Sequence, residues 1–239
     1  MHKTIAQTRA LVHELCEATL PRDVDVVIAP PFTALEAAHH ALAGSSIGLA
    51  AQNMNDATYG AFTGEISPVM LDELGVRFVI VGHSERRQHY GETDATVNRK
   101  VAAALAHGIT PIVAVGETKD EHLAGRARER VTEQIRAAFA GIAPPDVARC
   151  VVAYEPIWAI GTGLSDEPAG ANDVIGTIRG AVDGLQDARH LYGGSMKGEN
   201  AAALLAQSNI DGGLIGGASL NAQAFLAVIE AAAMAAGAR

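Results

Sequence analysis

Tryptophan occurs once in the 239 residues, cysteine twice, and aromatic side chains make up only 4% of the chain. Cys16 and Cys150 have no framework spacing, which argues against a disulfide-stapled scaffold and makes a reducing cytoplasm the expected compartment. No apolar run reaches the roughly 18 residues of a membrane span and no signal-peptide core opens the chain, so no membrane partner is expected. Positive charge is scarce. Eighteen Lys and Arg stand against 27 Asp and Glu, the net charge is -9, and neither a basic stripe nor base-stacking aromatics occur, which argues against nucleic acid. The four lysines, Lys3, Lys100, Lys119 and Lys197, all lie outside predicted strands, which counts against a Schiff-base aldolase. No His, Asp or Glu group has metal-ligand spacing, and no Gly-x-Gly-x-x-Gly fingerprint joins an early strand to a helix. Neither a metal nor a cofactor is therefore expected.

Against these absences stand a hydrophobic content of 49% and abundant alanine, enough for a sizeable core filled by small side chains. Short runs of Val, Ile and Ala alternate with helical patterns, and strands are predicted at 25–29, 47–52, 78–81, 109–115, 150–153, 190–192 and 212–215. The first helix opens at Thr4 with Ile5, Thr8, Leu11, Val12 and Leu15 as its inward stripe. One helix is expected from about Glu121 to Phe139, another around Asp173 to Leu185, and a last spans Ala222 to Ala236. Strands that are apolar throughout are buried on both faces, as in a parallel sheet covered by helices. No linker divides the chain, so residues 1–239 are expected to form one α/β domain. Seven strands behind an initial helix fit either a doubly wound sheet or an incomplete (β/α)8 barrel.

In both architectures chemistry gathers at the C-terminal ends of the parallel strands. The segment from Tyr154 to Gly163 places a carboxylate, Glu155, at the end of an apolar strand, followed by Pro156, Trp158 and two glycines, Gly161 and Gly163. A base beneath a lid has that form, with desolvation available to raise the carboxylate pKa. A solvated Glu in an ordinary turn has it too. His83 follows the 78–81 strand, and taken singly it reads as a structural histidine more readily than as a catalyst. Gly193-Gly194-Ser195 and Gly216-Gly217 follow two successive strands, and together they look like a phosphate cradle of backbone N–H groups. The long polar loop from Asn53 to Glu65 reads as functional or as an interface. What remains is cofactor-free acid/base work on a small phosphorylated substrate.

Five stretches, in order, closely resemble the triosephosphate isomerase family: Gly60-Ala61-Phe62-Thr63-Gly64-Glu65, Val81 to Arg87, Ala153 to Gly163, Tyr192-Gly193-Gly194-Ser195, and Gly216-Gly217-Ala218-Ser219-Leu220. The resemblance implies a TIM barrel and the interconversion of dihydroxyacetone phosphate and glyceraldehyde 3-phosphate through an enediolate. It implies Glu155 as the base and His83 as the neutral electrophile. Gly161, Ser195, Gly216 and Gly217 would hold the phosphate, with Ser84, Glu85 and Tyr192 in supporting positions. Tyr192 and Ser195 would also latch the closed lid. The loop around Thr63 would be the arm of a homodimer. A non-catalytic phosphate-binding barrel remnant and a tetrose-phosphate isomerase are the alternatives.

The pattern departs from the family at its start. In the family a first strand ends in an Asn-Trp-Lys segment that precedes the Met1-His2-Lys3-Thr4 of this sequence. Seven strands are therefore expected, with two unpaired edges, and the lysine expected to pair with Glu85 is not in the sequence. Lower turnover is expected from the loss of that cation.

Overall fold

A computed structural model describes residues 1–160 and 166–237, so Gly161 and Gly163 lie outside the described residues. Seven parallel strands follow one another in chain order: β1 Val27–Ile28, β2 Gly48–Ala51, β3 Phe78–Val81, β4 Thr110–Val115, β5 Val151–Tyr154, β6 Arg189–Tyr192 and β7 Gly212–Gly213. The helices before β4 are α1 Ile5–Glu17, α2 Leu35–Ala41, α3 Pro68–Glu73, α4 Ser84–Tyr90 and α5 Asp94–Ala106. After β4 come α6 Lys119–Leu123, α7 Ala127–Ala138, α8 Pro144–Val147, α9 Pro168–Arg179, α10 Gly198–Leu205 and α11 Ala222–Ala236. This is a (β/α) barrel of seven strands among the described residues. There β1 pairs with β2 alone and β7 with β6 alone, leaving the two expected sheet edges.

Alternate residues of each strand point to opposite faces. Ile80, Ile112 and Ala153 gather on the inner face with Phe78, Val151 and Leu191, whereas Val79, Val81, Val113, Val152 and Tyr154 join the main core beneath the helices. Both faces are thus apolar, as the uninterrupted Val and Ile runs require. The register aligns Val115 with Tyr154 and Tyr154 with Tyr192, which brings the ends of three adjacent strands level.

Local signals set most boundaries. Thr4 caps α1: its N–H donates to Gln7 Oε1 at 2.9 Å, and its hydroxyl accepts from Gln7 N at 3.4 Å. Thr8, Val12 and Leu15 are buried, but Ile5 is exposed, because burial of α1 against α2 and α11 begins only at Thr8. The helix expected from Glu121 to Phe139 is two helices. Gly125, at φ +69°, takes the left-handed conformation that ends α6 before α7 begins. Pro168 at the first position starts α9 earlier than expected, and Arg179 ends it. The outermost strands are shorter than predicted, since β1 pairs with β2 and β7 with β6 over two residues only.

Candidate active site

Glu155 follows the last residue of β5 and is 2% exposed. Its N–H donates to Val115 O at 2.7 Å, and Gly193 N donates to Tyr154 O at 2.7 Å, so the backbone is tied on both sides. The fit is too close for side chains on the flanking glycines. A Cβ on Gly116 would lie 1.7 Å from Glu155 O, and one on Gly193 would lie 2.8 Å from Glu155 Cγ. The carboxylate therefore reaches past the end of β4 toward β3. There Oε2 accepts the Ser84 N–H at 2.9 Å, and Oε1 lies 3.0 Å from His83 Nε2.

His83 is the N-cap of α4, and its Nδ1 accepts the Glu85 N–H at 3.3 Å. That bond requires a bare Nδ1, so the neutral ring carries its proton on Nε2, directed at Glu155. Two influences on its pKa oppose each other. Burial lowers it, but the hydrogen bond and charge of Glu155, with Glu85 and Glu92 behind, raise it above 6.5 on balance. The net rise rests chiefly on contact with Glu155, and a molecule seated between the two would remove that contact. Glu85 itself is mostly exposed, with Oε2 3.9 Å from His83 Nδ1.

The next two strand ends complete the rim. Tyr192 ends β6 fully buried, and its hydroxyl accepts the Asp166 N–H at 3.1 Å. Ser195 is half-buried, with its carbonyl accepting from Asn200 Nδ2 at 2.9 Å. Gly216 and Gly217 are exposed, and a Cβ on either would meet open space. Ser219 folds back on Gly216 O through its N–H at 3.0 Å and its hydroxyl at 2.6 Å, shaping a 3-10 turn at Gly217–Leu220. Gly161, the fourth expected phosphate contact, lies outside the described residues. Thr63 stands apart from this rim, in an exposed loop closed by Asn55 N donating to Ile66 O at 2.8 Å.

One further buried carboxylate at the strand ends was not singled out from the sequence. Glu117, after the end of β4, is wholly buried, and its Oε1 accepts from Trp158 Nε1 at 2.7 Å and from the Tyr154 hydroxyl at 3.1 Å. Burial raises its pKa against the lowering effect of these bonds. Its position after Gly116, at a strand end like that of Glu155, was the available signal. Among the described residues no group of three His, Cys, Asp or Glu could hold a metal ion, and no helix is long and apolar enough to cross a membrane.

A family model described as triosephosphate isomerase matches residues 1–232. The chain belongs to the triosephosphate isomerase family. A curated triosephosphate isomerase of Chloroflexus aurantiacus is 49% identical over 237 residues, covering 96% of this chain and 95% of that protein. One from Symbiobacterium thermophilum is 47% identical over 244 residues, covering 98% and 94%. The family's barrel accounts for the chain order of the strands.

Proposed function

We propose that the chain interconverts dihydroxyacetone phosphate and glyceraldehyde 3-phosphate by proton transfer through an enediolate, with no cofactor. The observation that carries this reading is the pairing of a buried carboxylate, Glu155, with His83 Nε2 at 3.0 Å across the strand ends. A substrate lying between them would present its carbon-bound proton to Glu155 and its carbonyl oxygen to the His83 Nε2–H. Glu155 takes the proton from one carbon and returns it to the neighbour. His83 polarises the carbonyl and moves protons between the two oxygens. Ser195, Gly216 and Gly217, with Gly161, supply backbone N–H groups to the phosphate, and Ser84 N holds the resting carboxylate. Tyr192, bonded to Asp166 N, steadies the residues that follow the lid.

The working form is a cytoplasmic homodimer, with the Thr63 loop as the arm between subunits. Tyr59 is 80% exposed and Phe62 51%, apolar area that a second copy would cover. A Thr63→Arg variant that sediments as a monomer where the parent sediments as a dimer would support this assembly; a parent that is itself monomeric would refute it.

The activity is tested by following glyceraldehyde 3-phosphate formation from dihydroxyacetone phosphate in the parent and in Glu155→Gln. Turnover by the parent and a loss of roughly 10²- to 10⁴-fold in the variant are expected, the usual range for a general base. Stabilisation by inorganic phosphate with no turnover, even after an upstream segment ending in Asn-Trp-Lys is added, would instead identify a binding protein.

A further inference from the structure

Trp158 is the one tryptophan of the sequence and sits in the 3-10 turn Ile157–Ala159 directly after Glu155 and Pro156. Besides its bond to Glu117 Oε1, the turn is tied by Ile157 N donating to the Glu117 carbonyl at 3.2 Å. Glu155 N is already tied to Val115 O, so Pro156 alone separates the anchored base from the anchored turn. Two anchors of the turn run to one residue, Glu117. Its carboxylate is wholly buried, and Oε2 has no hydrogen-bond partner among the described residues. Such a group depends on the donors at its other oxygen.

His122, in α6, adds further support. Its Nδ1 lies 3.3 Å from Glu117 Oε1, and its ring lies over the Trp158 indole with centroids 4.2 Å apart and planes at 33°. One side chain thus covers the indole face and also reaches the carboxylate oxygen that receives the indole N–H. The helix that carries it is rigidly started: Thr118 caps α6 in a reciprocal box with Glu121, one residue beyond Glu117. His122, Glu117 and Trp158 therefore form a closed triangle joining the end of β4, α6 and the turn after the base.

We propose that His122 is a positioning residue for Glu155. By stacking on Trp158 and lying against the Glu117 carboxylate it fixes the turn that leads away from the base, and so holds the Glu155 carboxylate in its proton-transfer geometry. This rests on the isomerase reading of the site.

Three substitutions separate its two contacts. His122→Phe keeps a ring over the indole and removes the ring nitrogen beside Glu117, His122→Asn places an amide nitrogen near the position of Nδ1 without the ring, and His122→Ala removes both. The measurements are kcat and KM for dihydroxyacetone phosphate, the emission and acrylamide quenching of Trp158, and the thermal midpoint. His122→Ala is expected to lower kcat about tenfold with KM within about twofold, because a shift of the base costs rate while the phosphate grip lies on other strands. Trp158 emission should move to longer wavelength and quench more readily, with Phe and Asn variants intermediate in both readouts. A His122→Ala variant with kcat within about twofold of an active parent overturns the proposal and leaves the isomerase reading standing. A kcat loss with unchanged Trp158 emission also overturns it, since the effect then bypasses the turn. An inactive parent refutes the isomerase reading, and the positioning role falls with it.

Discussion

His83 Nε2 lies 3.0 Å from Glu155 Oε1, so the groups proposed as electrophile and base bond each other in the absence of substrate. Burial opposes the imidazolium, but Glu155, with Glu85 and Glu92 behind it, outweighs burial, and the folded pKa stands above the ordinary 6.5. The sign of the linkage follows. The stabilisation is fully present below about 6.5 and is lost as pH rises through the folded value. In Glu155→Gln the raising partner is gone, and the His83 ring should titrate at lower pH than in the parent. NMR titration of the imidazole resonances measures this; an unchanged His83 pKa would show that Glu155 is not its cause.

Gly193 leaves room for the Glu155 side chain by having none of its own. A Cβ there would lie 2.8 Å from Glu155 Cγ and 3.0 Å from Tyr154 O, distances that force a displacement. Gly193→Ala should therefore fold but lose on the order of 10²-fold in kcat, the cost of misplacing a catalytic group by about 1 Å. Steady-state kinetics beside circular dichroism checks it, and full activity would show that Glu155 tolerates the shift.

His190 in β6 predicts an acid limit to stability. Its Nδ1 lies 3.1 Å from Ala188 O, while Nε2 is buried with no hydrogen-bond partner among the described residues. Burial, with the positive charge of Arg179, lowers its pKa from 6.5 to about 4. The unfolded chain then binds a proton that the folded chain refuses, so stability is lost as pH falls from about 6.5 to about 4. At about 1.36 kcal/mol per unit this amounts to roughly 3 kcal/mol. His190→Leu should flatten that part of the pH dependence in urea melts, and an unaltered slope would exclude His190 as the source.

Lys100 is not available as a cation for Glu85, because its Nζ is held by Asn53 Oδ1 at 2.7 Å and by the buried Glu92. An upstream segment ending in Asn-Trp-Lys should therefore raise turnover of the 239-residue chain by roughly 10²- to 10³-fold, the usual worth of a preorganised electrostatic donor. Parallel assays of the two forms decide it. Turnovers within about tenfold would show that the lysine contributes little.

Much of this architecture was legible without coordinates, for identifiable reasons. A Val- and Ile-rich run of four to six residues buried on both faces leaves little choice but a parallel strand, and its end marks where polar residues can meet. Glu155, His83 and Gly193 stand at such ends, so their candidacy was visible in order along the chain. The α6–α7 break was missed because the helical pattern continues through Gly125, and only its φ of +69° ends the first helix. Helix α4 is not evident in the sequence because it begins at Ser84, directly after His83, in a polar stretch that also reads as a loop.

The sequence by itself determined the order of the seven strands and the residue types near their ends, because side-chain periodicity acts over a few residues. The tertiary structure alone decided which ends meet. Glu155 is 71 residues from Ser84 and Trp158 is 41 from Glu117, and no local pattern encodes those separations. Parallel pairing of β3, β4 and β5 makes them neighbours, and the close fit at Gly116 and Gly193 aims the carboxylate at His83.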